Sequence, residues 1–290
     1  MNQAKQPSQI IGTLVVSCPD QKGLIATLAQ ILAEHGINII DTQQHTDLDE
    51  GMFFQRLRFD ATELDLSRSQ FKGLLEERLL ALEMKWRLSF ANEKKRVAIF
   101  TSKFEHCVYD LLIRHRLGEL HCEIPLILSN HPDLEPVAKS FNIPYKVFPI
   151  TKENKAEQEQ AEIDFLKENK IDLVILARYM QILSPAFIEE FPNRIINIHH
   201  GTLPAFMGAK PYHQAHARGV KLIGATAHYA TSDLDQGPII AQEVIACSHN
   251  NNVDDLIRKG RDMERITLGR AVRAHLEERI IVHAGKTVVF

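Results

Sequence analysis

The sequence contains few cysteines and no pattern that pairs them. Cys18, Cys107, Cys122 and Cys247 lie far apart, and no C-x-x-C motif is present. A disulfide framework or a zinc ribbon needs closely spaced pairs, so the sequence indicates neither. We therefore expect a cytoplasmic protein.

The chain also lacks long apolar runs and an excess of charge of one sign. No stretch approaches the ~20 apolar residues that span a bilayer, and the amino-terminal MNQAKQPSQ lacks the apolar core of a secretory signal. Lys and Arg number 34 against 37 Asp and Glu, a formal charge of -3. This near-balance argues against a nucleic-acid coat and a polybasic membrane anchor. We predict neither nucleic acid nor membrane as a partner.

The composition is that of a folded chain with room for more than one core. Hydrophobic residues make up 44% of the 290 positions and charged residues 24%, as in ordinary globular proteins. A chain of this length usually divides into about two domains. The charged segment ANEKKR (91–96) separates two different patterns, so we predict domains at 1–92 and 93–290.

The first ninety residues alternate between strand and helix patterns. The elements follow in this order: a strand at 10–17, a helix with Leu24, Leu28, Ile31 and Leu32 on one face, a strand at 37–46, a strand with Phe53, Leu57 and Phe59 on one face, a helix with Phe71, Leu75 and Leu79 on one face, and a strand at 84–90. The order β-α-β-β-α-β predicts a ferredoxin-like α+β domain with an antiparallel sheet and both helices on one side.

The segment CPDQKGLIATLAQILAEHGINIIDTQQHTD resembles the ACT family of amino-acid-sensing modules, a likeness that covers about the first ninety residues. In that family the first loop and the second strand can face a small ligand at a subunit interface. The resemblance implies that Asp20, Gly23 and Asn38 bind an effector, with glycine or methionine as candidates. It also implies a homo-oligomer, because such sheets commonly pair side by side. The alternative is that Asp20 and Asn38 only cap turns.

Beyond the charged break, strand-length apolar runs alternate with helical stretches. The runs are VAIF (97–100), IPLILS (124–129), YKVFPI (145–150), IDLVILA (171–177) and RIINI (194–198). Strands that are apolar on both faces and joined through helices predict a doubly wound, mainly parallel, Rossmann-like α/β sheet. Two further strands, at 221–230 and 237–246, and a helix at about 252–278 complete the predicted domain.

Two short motifs carry reactive side chains beyond the carboxyl ends of these strands, where open α/β sheets bind ligands. Asn197 and His199 are two residues apart, so both project on the same side of a strand. Asp235 is followed by Gly-Pro, which would fix its loop, whereas we interpret Asp233 as a turn cap. An amide and an imidazole can stabilise an oxyanion and a carboxylate can accept a proton, so the three predict acyl chemistry.

A metal site is the principal alternative. His199, His200, His213, His216 and His228 are clustered, and two of them, in H-x-x-H spacing, could share one face of a helix. They fall on three predicted elements, however, and no H-E-x-x-H motif is present. We therefore predict no metal ligands and interpret the other three histidines, His200, His213 and His216, as surface or supporting groups. The sequence also lacks G-x-G-x-x-G and G-x-S-x-G, so it indicates neither a dinucleotide site nor a serine hydrolase.

Three longer motifs resemble the formyltetrahydrofolate-dependent formyltransferase superfamily, over about residues 95–290. They are LARYMQILSPAF, IINIHHGTLPAFMGAKPYHQA and GATAHYATSDLDQGPIIAQ, in that order. The resemblance implies that Asn197, His199 and Asp235 are the catalytic residues. The substrate-binding loop that it implies contains Met180, Gln181 and Leu183, whose main chain would hold the pterin ring of the folate.

An ACT-like module ahead of such a domain is the arrangement of the deformylase family within this superfamily. The resemblance therefore implies hydrolysis of 10-formyltetrahydrofolate to tetrahydrofolate and formate, which would supply purine synthesis, with no cofactor besides the folate substrate. The sequence departs from the family pattern at two places. Thr101-Ser102-Lys103 stands where glycinamide ribonucleotide transformylases carry a Gly-Ser-Asn phosphate cradle, which disfavours a nucleotide acceptor. Gly201 replaces a serine common in relatives, which puts any hydrogen bond from that position in doubt.

Two other functions are open at this point. A methionyl-tRNA formyltransferase would need an additional tRNA-binding domain and a basic surface, neither of which the sequence indicates. A non-enzymatic amino-acid sensor would retain the fold without the chemistry. The complete set of Asn197, His199 and Asp235 favours an active hydrolase.

Overall fold

The computed structural model of the chain describes residues 9–206 and 210–290. The chain divides into two compact units, and the first ends at Lys94 before it resumes at 278–281 and 288–290. The second unit consists of 95–277 with 282–287. The last strands of the predicted second domain thus group partly with the first unit. The functional division into 1–92 and 93–290 stays a prediction.

The first unit contains the six predicted elements in the predicted order. They are β1 (Ile11–Pro19), α1 (Leu24–Glu34), β2 (Asn38–Asp47), β3 (Met52–Asp60), α2 (Arg68–Leu80) and β4 (Lys85–Phe90). The strands form one antiparallel sheet in the order β2-β3-β1-β4, which confirms the ferredoxin-like α+β prediction. Ser67 caps α2 through a capping box with Gln70, as its position before the apolar stripe predicts.

The two faces of this sheet are covered by different parts of the chain. Alternation places Leu14 and Phe59 towards the helices, where they pack with Phe71. Val15 and Phe54 point to the other face and are also buried, because Ile281 packs on them. The sequence pattern of the first ninety residues contains no sign of this second cover, which comes from the far end of the chain.

The second unit is built around a seven-stranded sheet. Its elements are β5 (Lys95–Thr101), α3 (His106–Arg116), β6 (Cys122–Ser129), α4 (Glu135–Ser140), β7 (Tyr145–Val147), α5 (Lys155–Glu168), β8 (Leu173–Leu176), α6 (Pro185–Glu190), β9 (Ile195–His199), α7 (Pro211–Arg218), β10 (Leu222–Tyr229), β11 (Ile239–Ala246) and α8 (Val253–Leu276). The short strands β12 (Ile280–His283) and β13 (Lys286–Val289) pair with each other near the end of the chain.

The strand order β11-β10-β9-β8-β5-β6-β7 confirms a doubly wound, mainly parallel sheet. Pairs among β5 to β9 are parallel, whereas β10 runs antiparallel to both of its neighbours. The chain builds outwards from β5 to one edge and then returns to place β8 on its other side. Such a reversal opens a crevice at the carboxyl ends of the strands, where a ligand can bind. β7 is shorter than its apolar run, since its pairing with β6 ends at Val147 and a last hydrogen bond from the Phe148 N–H to the Ser129 carbonyl.

None of the helices in the described part of the chain combines the length and the apolar composition required to cross a bilayer.

We predict that Gly12→Ala destabilises the first unit. A β-carbon at this position of β1 would lie 2.3 Å from the ring of Phe59, which is completely buried and opposite Gly12 in β3. Overpacking of this kind typically costs about 1–3 kcal/mol in the free energy of unfolding. The fluorescence of Trp86, the single tryptophan of the chain and a residue of this unit, reports the transition in urea.

Gly73→Ala is the matched control in the same unit. A β-carbon there meets no atom within 4 Å, and Gly73 lies inside α2. Alanine should therefore stabilise the helix, by up to about 1 kcal/mol. A Gly12→Ala protein as stable as the wild type would contradict the packing described here.

Candidate functional site

A cavity of about 570 Å³ lies in the second unit, beyond the carboxyl ends of β8 and β9. The structure brings all six residues predicted for catalysis and folate binding to its wall. These are Asn197, His199, Asp235, Met180, Gln181 and Leu183. The first two motifs meet because the carboxyl ends of the parallel strands β8 and β9 lie at the same edge of the sheet, and Asp235 reaches the same space from the loop after the antiparallel strand β10.

His199 stands at the end of β9 with both ring nitrogens engaged. Its Nδ1 lies 3.2 Å from Asp235 Oδ2, and its Nε2 lies 3.2 Å from the carbonyl oxygen of Phe206. The side chains of His199 and Asp235 are only 4% and 8% exposed. At this distance and burial the carboxylate fixes the orientation of the ring.

Asn197 is oriented by His228, which lies directly opposite it in β10. Burial lowers the pKa of His228, so the ring is neutral. Its Nδ1 donates to the carbonyl of Tyr229 at 2.9 Å, which leaves Nε2 as an acceptor for Asn197 Nδ2 at 3.1 Å. One of the two amide N–H groups of Asn197 is thereby used, and the other remains for a ligand. The sequence indicated His228 only as a member of the histidine cluster and did not predict that it orients Asn197.

The Asp235 carboxylate is held by a constrained loop. Asp235 has a φ of 58°, in the left-handed region, which a tight turn requires. Two residues later, a β-carbon on Gly237 would lie 1.7 Å from the carbonyl oxygen of Tyr229, so no other residue fits there. The N–H of Tyr229 in turn donates to the carbonyl of Pro238 at 3.0 Å. The Gly-Pro of the D-x-G-P motif therefore fixes the loop of Asp235, as the sequence predicts. Asp233, which the sequence indicates to be a turn cap, is exposed.

Gly201, the departure from relatives, lies against the imidazole. A β-carbon at this position would be 3.0 Å from His199 Nε2 and 3.3 Å from the carbonyl oxygen of Phe206. The main chain is anchored instead, since Thr226 Oγ1 donates to the Gly201 carbonyl at 2.8 Å. Glycine therefore leaves the Nε2 side of His199 uncrowded. Met207, Gly208 and Ala209 of the same motif lie outside the described residues.

The loop between β8 and α6 forms another part of the wall. It begins at Arg178, whose φ of 62° turns the chain sharply. The N–H of Met180 donates at 3.0 Å to Ser102 Oγ, which itself donates to Asn130 Oδ1 at 2.7 Å. The other departure, Thr101-Ser102-Lys103, thus supplies a buried hydroxyl that holds this loop. The main-chain N–H groups of Gln181 and Leu183 have no acceptor among the described residues.

A buried polar cluster that the sequence analysis missed also lines the cavity. Glu264 of α8 accepts hydrogen bonds from His106 Nε2 and Tyr212 OH, both at 2.7 Å, and lies 3.5 Å from Arg178 Nε. Burial alone would raise the pKa of Glu264, but these hydrogen bonds and the charge of Arg178 outweigh it and hold the pKa below its usual value. Four segments distant in sequence supply the cluster, so no local pattern could have revealed it.

This cluster is poorly suited to a metal ion. His106, Cys107 and Glu264 bring possible ligand atoms within 4.8 Å of one another. Burial and the charge of Glu264 raise the pKa of the Cys107 thiol well above its usual value, so it is not the thiolate that a metal prefers. Arg178 adds a competing positive charge beside the carboxylate. The predicted lack of metal ligands stays a prediction.

The histidine cluster of the sequence does not converge on one point. His213 and His216 lie on α7 and are exposed. His200 packs between the rings of His199 and Tyr212, at centroid distances of 5.4 and 5.9 Å. Burial, together with the charge of Arg178, lowers the pKa of His200 to about 3, so this ring is neutral.

In the first unit, the three residues predicted for effector binding do not come together within one chain. Asp20 and Gly23 follow the carboxyl end of β1, whereas Asn38 begins β2. The register places Asn38 level with Ile11, at the opposite end of the sheet. Eight residues of extended strand separate the two ends by roughly 27 Å. A ligand that touches Asp20 and Asn38 together would have to lie between two copies of the chain.

The second unit and the first resemble two different families. The formyl transferase family model matches residues 95–272, and the ACT domain model matches residues 12–75. A formyltetrahydrofolate deformylase of Synechocystis sp. is 53% identical to the chain, over 97% of this chain and 99% of that protein.

Solved structures show the same relationship. A formyltetrahydrofolate deformylase of Pseudomonas syringae superposes with a TM-score of 0.95 at 42% identity, covering 98% of this chain and 95% of that one. A glycinamide ribonucleotide transformylase of Symbiobacterium toebii covers only 70% of this chain, with a TM-score of 0.65 and 28% identity. The likeness to the deformylase therefore spans nearly all of this chain, whereas the likeness to the transformylase spans 70% of it.

We predict that Glu162→Gln stabilises the protein at high pH but not at low pH. Burial is the main cause that raises the pKa of Glu162, a residue of α5 with 0% exposure, from 4.5 to about 7. Because the folded state retains the proton longer than the unfolded state, wild-type stability falls as the pH rises from about 4.5 to 7. The loss can reach about 3 kcal/mol. The glutamine variant would not incur this loss, because its side-chain amide does not titrate.

Urea unfolding followed by circular dichroism at pH 4.5 and at pH 8 measures this difference. Glu168→Gln, on the exposed face of the same helix, is the matched control and should behave as the wild type at both values. An equal effect of Glu162→Gln at the two pH values would contradict the buried, protonated carboxyl.

Proposed function

The chain belongs to the formyltetrahydrofolate deformylase family, and on this premise we propose that Asn197, His199 and Asp235 carry out its reaction. That reaction is the hydrolysis of 10-formyltetrahydrofolate to tetrahydrofolate and formate, so the protein is a hydrolase. The assignment of roles rests on one observation above all. The three side chains line one cavity, with His199 Nδ1 at 3.2 Å from Asp235 Oδ2.

Asp235 and His199 form the proton relay. Water attacks the formyl carbon and gives up one proton to the Asp235 carboxylate, which passes it on to the imidazole of His199. The imidazole then carries a positive charge that the carboxylate stabilises at close range. Once the tetrahedral intermediate forms, the same pair returns a proton to the folate nitrogen as the carbon–nitrogen bond breaks. Formate and tetrahydrofolate are the products.

Asn197 and protonated His199 stabilise the oxyanion of the tetrahedral intermediate. The bond from Asn197 Nδ2 to His228 fixes the amide so that its second N–H points to a ligand. On the ring, Nε2 is the nitrogen on the side away from Asp235, and the oxyanion would replace the Phe206 carbonyl, now 3.2 Å away, as its partner. Loss of one such donor typically costs about 3–4 kcal/mol of the barrier reduction.

The pterin ring of the folate binds along Met180, Gln181 and Leu183. Two main-chain N–H groups there, those of Gln181 and Leu183, have no acceptor among the described residues and lie at the cavity. Unsatisfied backbone donors beside a cavity are suited to the edge of a heterocycle with several acceptor atoms. Met180 contributes its carbonyl, because its N–H is already donated to Ser102.

Water, rather than a nucleotide amine, is the acceptor of the formyl group. A nucleotide phosphate needs exposed backbone donors, but Thr101 and Ser102 are 0% and 2% exposed and the Ser102 hydroxyl is committed to the 178–184 loop and Asn130. The relay, the donors and the substrate carbonyl supply every group that hydrolysis requires. We therefore propose that no cofactor or metal takes part, and that the folate is the substrate.

The first unit is proposed to sense an amino acid, glycine or methionine, and to assemble the chain into a homo-oligomer. The family match to an ACT domain and the wide separation of Asp20 and Asn38 support a site shared by two copies. A cytoplasmic location fits the four cysteines, all of which are buried thiols outside any disulfide. In that compartment the formate produced would supply purine synthesis.

Asp235→Asn is expected to lower the rate of formate release about 100- to 10,000-fold, because the general base is lost. Affinity for tetrahydrofolate, measured by calorimetry, should change little, since the Gln181 and Leu183 main chain is untouched. Asp233→Asn, an exposed position in the same turn, is the matched control and should retain full activity. Unchanged turnover in Asp235→Asn would remove the carboxylate from the mechanism.

Calorimetry of the full chain with glycine and with methionine tests the sensing role. We expect one of them to bind, and Asp20→Ala and Asn38→Ala each to weaken that binding. Because the two residues would meet only across two copies, the effector should also shift the chain to a larger species in sedimentation velocity. If neither amino acid binds, the first unit would be an assembly element without a ligand.

A further inference from the structure

α5 carries two acidic side chains on its buried face that take no part in the proposed reaction. Glu159 and Glu162 are 4% and 0% exposed, and they share this face with Ile163 and Leu166. Burial penalises the charged form of an acid, and an apolar side chain would avoid that cost. The contacts of these two acids, which lie in adjacent turns of the buried face, must therefore offset the cost of burying them.

Glu162 holds the beginning of the loop that follows Arg178. Tyr179 OH donates to Glu162 Oε1 at 3.1 Å, and Tyr179 is itself buried. The tyrosine ring packs edge-on against Phe100, with 5.2 Å between the ring centroids. The backbone at residue 179 is thus fixed by one apolar and one polar contact, and the polar one depends on the acid.

Glu159 holds the end of the same loop. Its Oε1 accepts a hydrogen bond from the main-chain N–H of Ser184 at 3.1 Å. Lys155, 3.7 Å from the same oxygen, donates to the carbonyl of Ile182. The carboxylate therefore contacts the loop directly and also orients the lysine that contacts it a second time.

The loop depends on these contacts because it has little backbone pairing of its own. Residues 177–184 contain neither helix nor strand. Between the two anchors, at Tyr179 and Ser184, lies the segment 180–183, to which the proposed function assigns the pterin ring. A main-chain recognition site is only as well defined as the backbone that carries it, so fixing both ends pre-organises the donors.

We propose that Glu159 and Glu162 are positioning residues for the folate substrate, which fix the ends of the 180–183 segment so that its main chain faces the pterin ring. This inference rests on the proposed function. Neither acid touches the substrate or the formyl carbon, so both act on substrate binding rather than on the chemical step.

The test separates KM from kcat in Glu162→Leu and Tyr179→Phe. Both changes remove the hydrogen bond between the two side chains, and KM for 10-formyltetrahydrofolate should rise about tenfold while kcat stays within about twofold. Glu162→Gln retains an acceptor oxygen and should restore KM to near the wild-type value. A role in stability alone would instead lower the fraction of active enzyme, and hence kcat, without changing KM. Glu168→Leu, on the exposed face of α5, is the matched control.

Tetrahydrofolate calorimetry on the same proteins distinguishes this inference from the function it rests on. Wild-type protein that fails to bind tetrahydrofolate would overturn the proposed function itself. Normal wild-type binding with equally tight binding in Glu162→Leu and Tyr179→Phe would overturn the positioning role alone. Should Glu162→Leu not fold, Tyr179→Phe decides the question, since it removes one hydroxyl group and leaves the acid in place.

Discussion

The contact between His199 and Asp235 is the interaction on which the arrangement of the site depends. It joins the end of β9 to the loop after β10, and both side chains are almost fully withdrawn from water. In that environment a carboxylate orients an imidazole strongly, because little solvent screens the pair. The positions of Asn197, His228 and Gly201 follow from the same strand ends. A change that separated the two loops would therefore disturb the donors as well as the relay.

The antiparallel strand β10 gives this pair its geometry. In a wholly parallel sheet the segment after β10 would start beside the carboxyl end of β9. Here β10 runs against β9, so the register places His228 beside Asn197 and Thr226 beside His199. The chain then leaves β10 through the turn that carries Asp235 and returns as β11. The strand itself thus supplies the orienting imidazole. The segment after it starts beside the amino end of β9, where the Ala230 N–H donates to the Ile195 carbonyl, and brings the Asp235 carboxylate back to His199.

The sequence predicted those features that depend on local patterns. Period-two alternation placed Phe53, Leu57 and Phe59 on one buried face, and the N-x-H spacing placed two side chains on one side of a strand. Local patterns could not predict features that are built from residues far apart in the sequence. The Glu264 cluster draws on four separate elements, and the burial of Val15 and Phe54 requires Ile281. The Lys- and Glu-rich composition of α5 likewise gives no sign that Glu159 and Glu162 are buried.

The grouping of residues 278–281 and 288–290 with the first unit has a consequence for synthesis of the chain. The strands whose sheet face carries Val15 and Phe54 leave the ribosome early in synthesis. Ile281, which covers that face, leaves it only after all of residues 95–277. During translation that apolar face lacks the cover that Ile281 gives it in the finished chain. The amino-terminal unit reaches its final packing late, after the residues of the other unit have been made.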